Sequence, residues 1–259
     1  MTHEFNSLDL PATPAEVEVR LARSEAEVAA AQRLRYRVFF EEMGAKPCPA
    51  VQASGRDLDK FDAVCDHLLA FADGAVVGTY RLIGRQAAEA AGGFYSADEF
   101  DIAPLLDYPG NVLELGRSCV DARWRSRGAV QALWQGLAAY IVEHRIDLLF
   151  GCASLPGADA ERHVQQLTYL RDNHLAPLEF RARAHAPVQT TAEAEPCADL
   201  RRIFCALPPL LKGYLRAGAW VGDGAVIDHH FNTTDVLVVM DTAAISSRYQ
   251  RRFEANKAS

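Results

Sequence analysis

Two short stretches of this sequence concentrate polar side chains against an apolar background. In residues 120–129 three arginines stand at alternate positions, Arg123, Arg125 and Arg127, ahead of Gly128 and a helical pattern. A strand, a basic turn and a helix N-terminus together make an anion site, because free N–H groups and the helix dipole both favour phosphate. A solvated basic turn uses the same residues, so this segment alone leaves both readings open. In residues 113–118, Leu-Glu-Leu-Gly-Arg-Ser, a strand puts Glu114 and Gly116 on one face and Leu113, Leu115 and Arg117 on the other. A bulge there re-aims one of these polar groups. The plainer alternative is a strand whose polar face meets solvent.

Other chemistry-capable residues read as structural. His67 opens an apolar strand, where a satisfied structural histidine is expected. His229 and His230 follow Asp228, but adjacent histidines share no face of a strand or helix and no spaced partner is evident. No metal is expected. The six cysteines (48, 65, 119, 152, 197 and 205) are scattered without a C-x-x-C pair, as reduced and mostly buried thiols are.

These groups need a frame. Residues 16–22 alternate as a strand, with Val17, Val19 and Leu21 on one face. Ser24 is an N-cap completed by Glu27, and the helix after it ends at Gly44 and Pro47. A polar, acidic connection follows over 45–66. Strands at 67–72 and 76–83 flank an Asp73-Gly74 hairpin turn. Residues 86–108 form an insertion with short helices, and 112–120 a strand. Residues 128–144 are an amphipathic helix with Val130, Leu133, Trp134, Leu137 and Ile141 on one face. Then come a buried strand at 148–153, a helix around 158–170 and an excursion over 181–199. A helix at 208–216 and strands at 220–221 and 236–240 follow, with a terminal helix and charged tail over the last 15 residues. The order β-α-β-β-β-α-β-α-β is mixed α/β with no compositional break. It predicts a single domain over 16–259 behind a flexible leader, 1–15.

The chain of 259 residues is 49% hydrophobic and 24% charged, as a folded domain with a sizeable core is. A net charge of −7 excludes general phosphate-backbone binding, which needs surplus Lys and Arg. No signal peptide and no run of 18 apolar residues is visible, so a cytoplasmic protein is expected.

The strand-to-helix junction resembles the phosphate loop of GCN5-related N-acetyltransferases (GNAT), a mostly antiparallel central sheet flanked by helices. Of that loop Arg125, Arg127 and Gly128 survive and several glycines do not. The departure favours a donor carrying one phosphodiester, phosphopantetheine on acyl carrier protein, over coenzyme A. Residues 114–118 are similar to the E-x-S-R stretch of acyl-homoserine-lactone synthases, GNAT-fold enzymes that use acyl carrier protein. Arg35, Phe39, Asp59, Asp62 and Arg81 match the same pattern. That family's tryptophan falls near Ala45 here and its serine at Gly116.

The fuller resemblance is to bacterial ornithine N-acyltransferases. It rests on residues 34–39, 61–62, 67, 78–82, 114–118, 150–154, 208–216 and 231–235, eight stretches in the expected order. The resemblance implies transfer of a (3-hydroxy)acyl group from acyl carrier protein to the α-amino group of ornithine, with no further cofactor. Glu114 is then the candidate base, directly or through a water, helped by an α-amino pKa of about 8. Arg117 stands beside it as the second catalytic candidate. Backbone N–H groups near 114–117 hold the thioester oxygen, and the pantetheine arm lies where the strands at 112–120 and 148–153 diverge. Arg125, Arg127 and Gly128 meet the phosphate. For the acceptor, Arg81 or Arg117 clamps the carboxylate and Asp59 or Asp62 the distal ammonium, with Arg35 and Phe39 in the same pocket. A structural pair of Arg35 with Asp62 is the alternative. Lys212 and Tyr214 are expected to pack or shape the acceptor pocket, and Trp134 and Tyr140 to serve the core. The rival functions are a lactone synthase using S-adenosylmethionine, an acyltransferase for another amine, and a GNAT-fold protein that only binds acyl carrier protein or lipid. An amphiphilic product makes transient contact with the membrane surface plausible.

Overall fold

A computed structural model describes residues 17–190 and 199–243. The predicted leader, the terminal helix and residues 191–198 of the predicted excursion lie outside the described residues.

The chain begins with β1 (Glu18–Leu21), and Ser24 then caps α1 (Glu25–Tyr36) by accepting the Glu27 N–H at 3.3 Å. Glu27 reaches back to the N–H of Arg23 at 2.7 Å. The helix does not run regularly to Gly44. It loosens into a π-helical turn, Arg37–Glu42, in which the Met43 N–H reaches the Val38 carbonyl. The polar connection holds a short helix, α2 (Pro49–Ser54). Two long strands follow, β2 (Asp66–Ala72) and β3 (Ala75–Gly84), and the insertion contributes α3 (Arg85–Ala90), β4 (Phe100–Asp101) and α4 (Ala103–Leu106).

Strand β5 (Val112–Val120) leads to α5 (Ala129–Glu143), and β6 (Leu148–Pro156) to α6 (Val164–His174). A 3₁₀ turn, Ala160–His163, takes the start of the helix predicted at 158–170 and shifts it toward the C-terminus. The remaining elements are β7 (Arg183–Ala184), α7 (Leu200–Ala206), α8 (Pro209–Ala217), β8 (Trp220–Val221), β9 (Val226–Asp228) and β10 (Thr233–Asp241).

The main sheet runs β1-β2-β3-β5-β6-β10-β8, with β9 on the start of β10, while β4 and β7 form a separate ribbon. Every pairing in the main sheet is antiparallel except β5 with β6. Alternation along the strands loads two cores. Leu113, Leu115, Leu149, Val236 and Val238 pack with Leu133 and Leu137 of α5 and Tyr214 of α8. On the opposite side, Ile83, Phe150, Leu237 and Val239 meet Phe94, Phe100 and Leu105 of the insertion. The insertion thus covers the face on which Glu114 lies.

Candidate active site

Two departures from a regular ladder shape β5. Its register with β3 pairs Arg81 with Gly116 and Thr79 with Cys119, so Arg117 and Ser118 together oppose Tyr80. This is the expected bulge, and Arg117 adopts φ of 50° within it. On the other edge, parallel pairing with β6 ends at Glu114 and Phe150. Beyond that point a narrow slot opens, lined by Leu115, Gly151, Cys152, Tyr214, Val238 and Met240. Gly151 is required there, because a Cβ would strike the Leu115 carbonyl oxygen across the gap. Tyr214 at the slot stacks on Trp134 and shares a 3.0 Å hydroxyl contact with Tyr80.

Three arginines and three aspartates form a closed ion network beside the bulge. Arg35 Nε donates to Asp57 Oδ2 at 2.8 Å, and its Nη2 to Asp62 Oδ1 at 2.7 Å. Arg81 Nη1 donates to Asp59 Oδ1 at 2.6 Å. Arg117 reaches Asp57 at 3.3 Å through Nε and Asp59 at 3.2 Å through Nη2. The structural pairing of Arg35 with Asp62 is therefore the arrangement present, and with 0% exposure Arg35 offers no surface to a ligand. Asp57, absent from the sequence-based candidates, is a full member. Burial works against the Asp59 carboxylate, yet Arg81 and Arg117 hold its pKa below the usual range. His67 is buried, and its Nε2 lies 3.0 Å from the Asp62 carbonyl oxygen, a structural role.

Aromatic rings complete the site. The Arg117 guanidinium lies between Tyr95, 4.6 Å from the ring centroid, and Phe231, at 4.4 Å. Phe39, in the π-helical turn, meets Phe231 edge-on at 5.7 Å. Burial works against the Arg117 charge, yet the neighbouring Tyr95, Asp57 and Asp59 outweigh it and raise its pKa.

Glu114 is 3% exposed, and its carboxylate accepts three bonds from the insertion. The donors are the Tyr95 N–H at 2.8 Å, the Ser96 N–H at 2.6 Å and the Ser96 hydroxyl. Burial raises its pKa against those donors. Cys152 Sγ lies 3.4 Å from Ser96 Oγ and 3.4 Å from Glu99 Oε2, so its single S–H donates to one or the other and the residue bridges the space between Glu114 and Glu99. Glu99 in turn approaches Asp228 and Asp235, one carboxylate oxygen of each lying within 4.8 Å of the others. Burial, with Asp235 next in effect, pushes Glu99 up to about 7. Burial also lifts Asp235 to about 6. The residues that sequence reasoning missed here, Tyr95, Ser96, Glu99 and Asp235, meet only through the sheet register and the insertion.

The basic turn lies at the far end of β5. Arg123 pairs with Asp121, and Arg125 with Glu42 and with the Val120 carbonyl. Arg127 is exposed and lies over the Trp124 ring at 5.6 Å. Gly128 takes φ of 85° as the N-cap of α5, with no side chain capping the helix. Backbone N–H groups of that first turn therefore face outward beside Arg127, as an anion site needs.

Comparison with known proteins bears on the family and the fold. A GNAT acetyltransferase domain matches residues 34–135, from α1 into α5. An L-ornithine N(alpha)-acyltransferase from Rhizobium meliloti (strain 1021) is 46% identical over 253 residues, covering 93% of this chain and 86% of that protein. One from Agrobacterium fabrum is 48% identical over 90% of this chain and 83% of its own. One from Rhodobacter capsulatus is 41% identical over 95% and 99%. Among solved structures, FeeM, an N-acyl amino acid synthase from uncultured soil microbes, shares the fold. Its TM-score is 0.52 at 14% identity, over 90% of this chain and 94% of that one.

Proposed function

Because this chain belongs to the L-ornithine N(alpha)-acyltransferase family, we propose that it acylates the α-amino group of ornithine, drawing a (3-hydroxy)acyl group from acyl carrier protein and releasing lyso-ornithine lipid. The observation that carries this reading is identity of 41–48% with the curated relatives over at least 90% of the chain.

The geometry supports the same chemistry. Amide formation from a thioester needs a held carbonyl, a neutral amine and donors for the tetrahedral oxyanion. The slot between β5 and β6 has a mainly apolar lining, which suits a pantetheine arm with its acyl chain once the strands part around it. Bulged backbone at Arg117 and Ser118 lies free of the regular ladder beside that slot and supplies N–H donors for the oxyanion. The α-amine loses its proton toward Glu114, with Ser96 and Cys152 as the groups between that carboxylate and the half-buried Glu99. The thiolate of the phosphopantetheine leaves along the slot. At its outer end Arg127 and the N-terminus of α5 receive the single phosphodiester, Arg125 exchanging Glu42 for it.

On the acceptor side, Arg117 is the cation best placed to meet the ornithine carboxylate, because its rings fix the guanidinium while its plane stays beside the bulge. Asp59 and Asp62 are already neutralised by Arg81 and Arg35, so their part is to hold those arginines in place. No helix among the described residues is long and apolar enough to cross a membrane. An amphiphilic product favours release where the enzyme meets a membrane surface.

The test is mass spectrometry of purified protein incubated with 3-hydroxyacyl-carrier protein and, in parallel, ornithine, glutamine, glycine or S-adenosylmethionine. N-acylornithine is the expected product. An acylated product from another amine alone would keep the donor and overturn the acceptor.

A further inference from the structure

The six charges of the Arg35, Arg81, Arg117, Asp57, Asp59 and Asp62 network cancel three against three. The neighbouring trio does not cancel. Glu99 follows the insertion's 3₁₀ turn, Asp228 ends β9 and Asp235 lies in β10, so three elements deliver three carboxylates to one point. Asp228 opposes Thr233 in the β9–β10 ladder, and Asp235 stands two residues further along the same face. Glu99 and Asp228 are half-buried and close the open side, while Asp235, 4% exposed, forms the floor.

A second observation points to a ligand. Asp235 Oδ1 and Thr233 Oγ1 are both buried and outside good hydrogen-bond geometry with any described residue, although the Thr233 and Ser154 hydroxyls lie close enough to lower the Asp235 pKa. Such orphaned groups cost about 1–3 kcal/mol each unless something satisfies them. A carboxylate accepts and a threonine hydroxyl both accepts and donates, so the missing partner is a donor. Arg117 acts on Asp235 only as a distant charge, and the carboxylates it touches are Asp57 and Asp59.

We propose that Glu99, Asp228 and Asp235 form a subsite for the distal ammonium of a diamino acid, and so select ornithine over amino acids with an uncharged side chain. The proposal rests on the ornithine reading above. An alkylammonium offers three donors and one positive charge, which meets one oxygen from each of three carboxylates. Its position follows from the chain Glu114–Ser96–Cys152–Glu99, which places the trio beyond Cys152 at the slot, on the side of the insertion. An acceptor whose α-amine faces the thioester and whose carboxylate meets Arg117 then extends its side chain toward the trio.

The experiment compares ornithine with norvaline, which has the same carbon chain and no δ-amine, as acceptors for the wild-type enzyme and for Glu99→Gln, Asp228→Asn and Asp235→Asn. Each exchange keeps side-chain size and removes repulsion, and Glu99→Gln, half-exposed, disturbs packing least. The wild type should favour ornithine at least 100-fold in kcat/KM. In each variant the ornithine-to-norvaline ratio should fall at least tenfold, mainly through the KM for ornithine. An unchanged ratio in all three variants would sink the subsite while leaving the ornithine reading intact. Wild type that acylates neither compound would instead overturn the reading on which it rests. Loss of wild-type activity with EDTA and recovery with Mg²⁺ or Ca²⁺ would show a metal at the trio and overturn the proposal.

Discussion

Glu114 and Arg117, three residues apart on β5, are held by one and the same residue: the Tyr95 N–H donates to Glu114 at 2.8 Å and the Tyr95 ring lies 4.6 Å from the Arg117 guanidinium. The bulge makes this possible, since it turns Arg117 off the regular strand course. The insertion is thereby joined to β5 at two points through the backbone and ring of a single residue.

Exchanging Glu114 for Gln removes the proposed proton acceptor and sets an amide NH₂ against backbone donors. Turnover should fall at least tenfold, with little change in the KM for ornithine. An unpaired buried donor costs about 1–3 kcal/mol, so melting should also drop by a few degrees. Steady-state kinetics and a thermal melt separate the two effects. Near-normal kcat would remove Glu114 as the base.

Arg35→Met leaves Asp57 and Asp62 buried with one partner fewer. Breaking a buried pair from one side costs about 3–5 kcal/mol. Denaturant unfolding should show a loss of that order, and a stability change under 1 kcal/mol would contradict the structural role of this arginine.

Gly151→Ala drives a methyl group into the Leu115 carbonyl oxygen. Forcing β5 and β6 apart costs about 1–3 kcal/mol. The KM for the acyl donor should rise while the ornithine KM changes less. Equal donor affinity in this variant would place the acyl thioester elsewhere.

The acidic trio predicts a pH signature. Glu99 is raised to about 7, by burial, then by Asp235 and Asp228, against Cys152 and Arg117. Asp235 is raised to about 6. A carboxylate whose folded pKa is raised contributes stability that is complete below its unfolded pKa, about 4, and lost as pH rises through the folded value. Free enzyme should therefore melt lower at pH 8 than at pH 5.5 from this source, and Glu99→Gln should narrow that difference. Ammonium binding prefers the ionised trio, so the ornithine KM should fall as pH rises from 5.5 to 7.5. A flat profile would count against the assignment.

Much of this was legible in the sequence because it is local. The Asp73-Gly74 hairpin, the long amphipathic helix and the polar stretch 113–118 each announce themselves within a few residues. Even the bulge could be anticipated, since Glu114 and Arg117 fall on opposite faces of an unbroken strand. The π-helical turn at 37–42 was not, because one extra residue per turn hardly alters the apolar spacing of Val38 and Phe40. Asp57 and the acidic trio were hidden for a different reason. Glu99, Asp228 and Asp235 come together only when the order of strands puts β10 beside β6 and the insertion over both. Asp235 falls in the family-like stretch 231–235 and Asp228 beside two histidines, but neither spacing shows that they meet Glu99, and the plain candidates Asp59 and Asp62 proved to be already paired.

The placement of Glu99 and Asp228 has one more consequence. The acyl slot is walled by strands in the middle of the sheet, where a change disturbs the ladder on both sides. Glu99 sits in a connection and Asp228 at the end of a short edge ribbon, positions where backbone can be lengthened or replaced at small cost. With the subsite as proposed, acceptor choice is written on exchangeable parts and acyl transfer on fixed ones, so a lineage could acquire a new amine partner without rebuilding its catalyst.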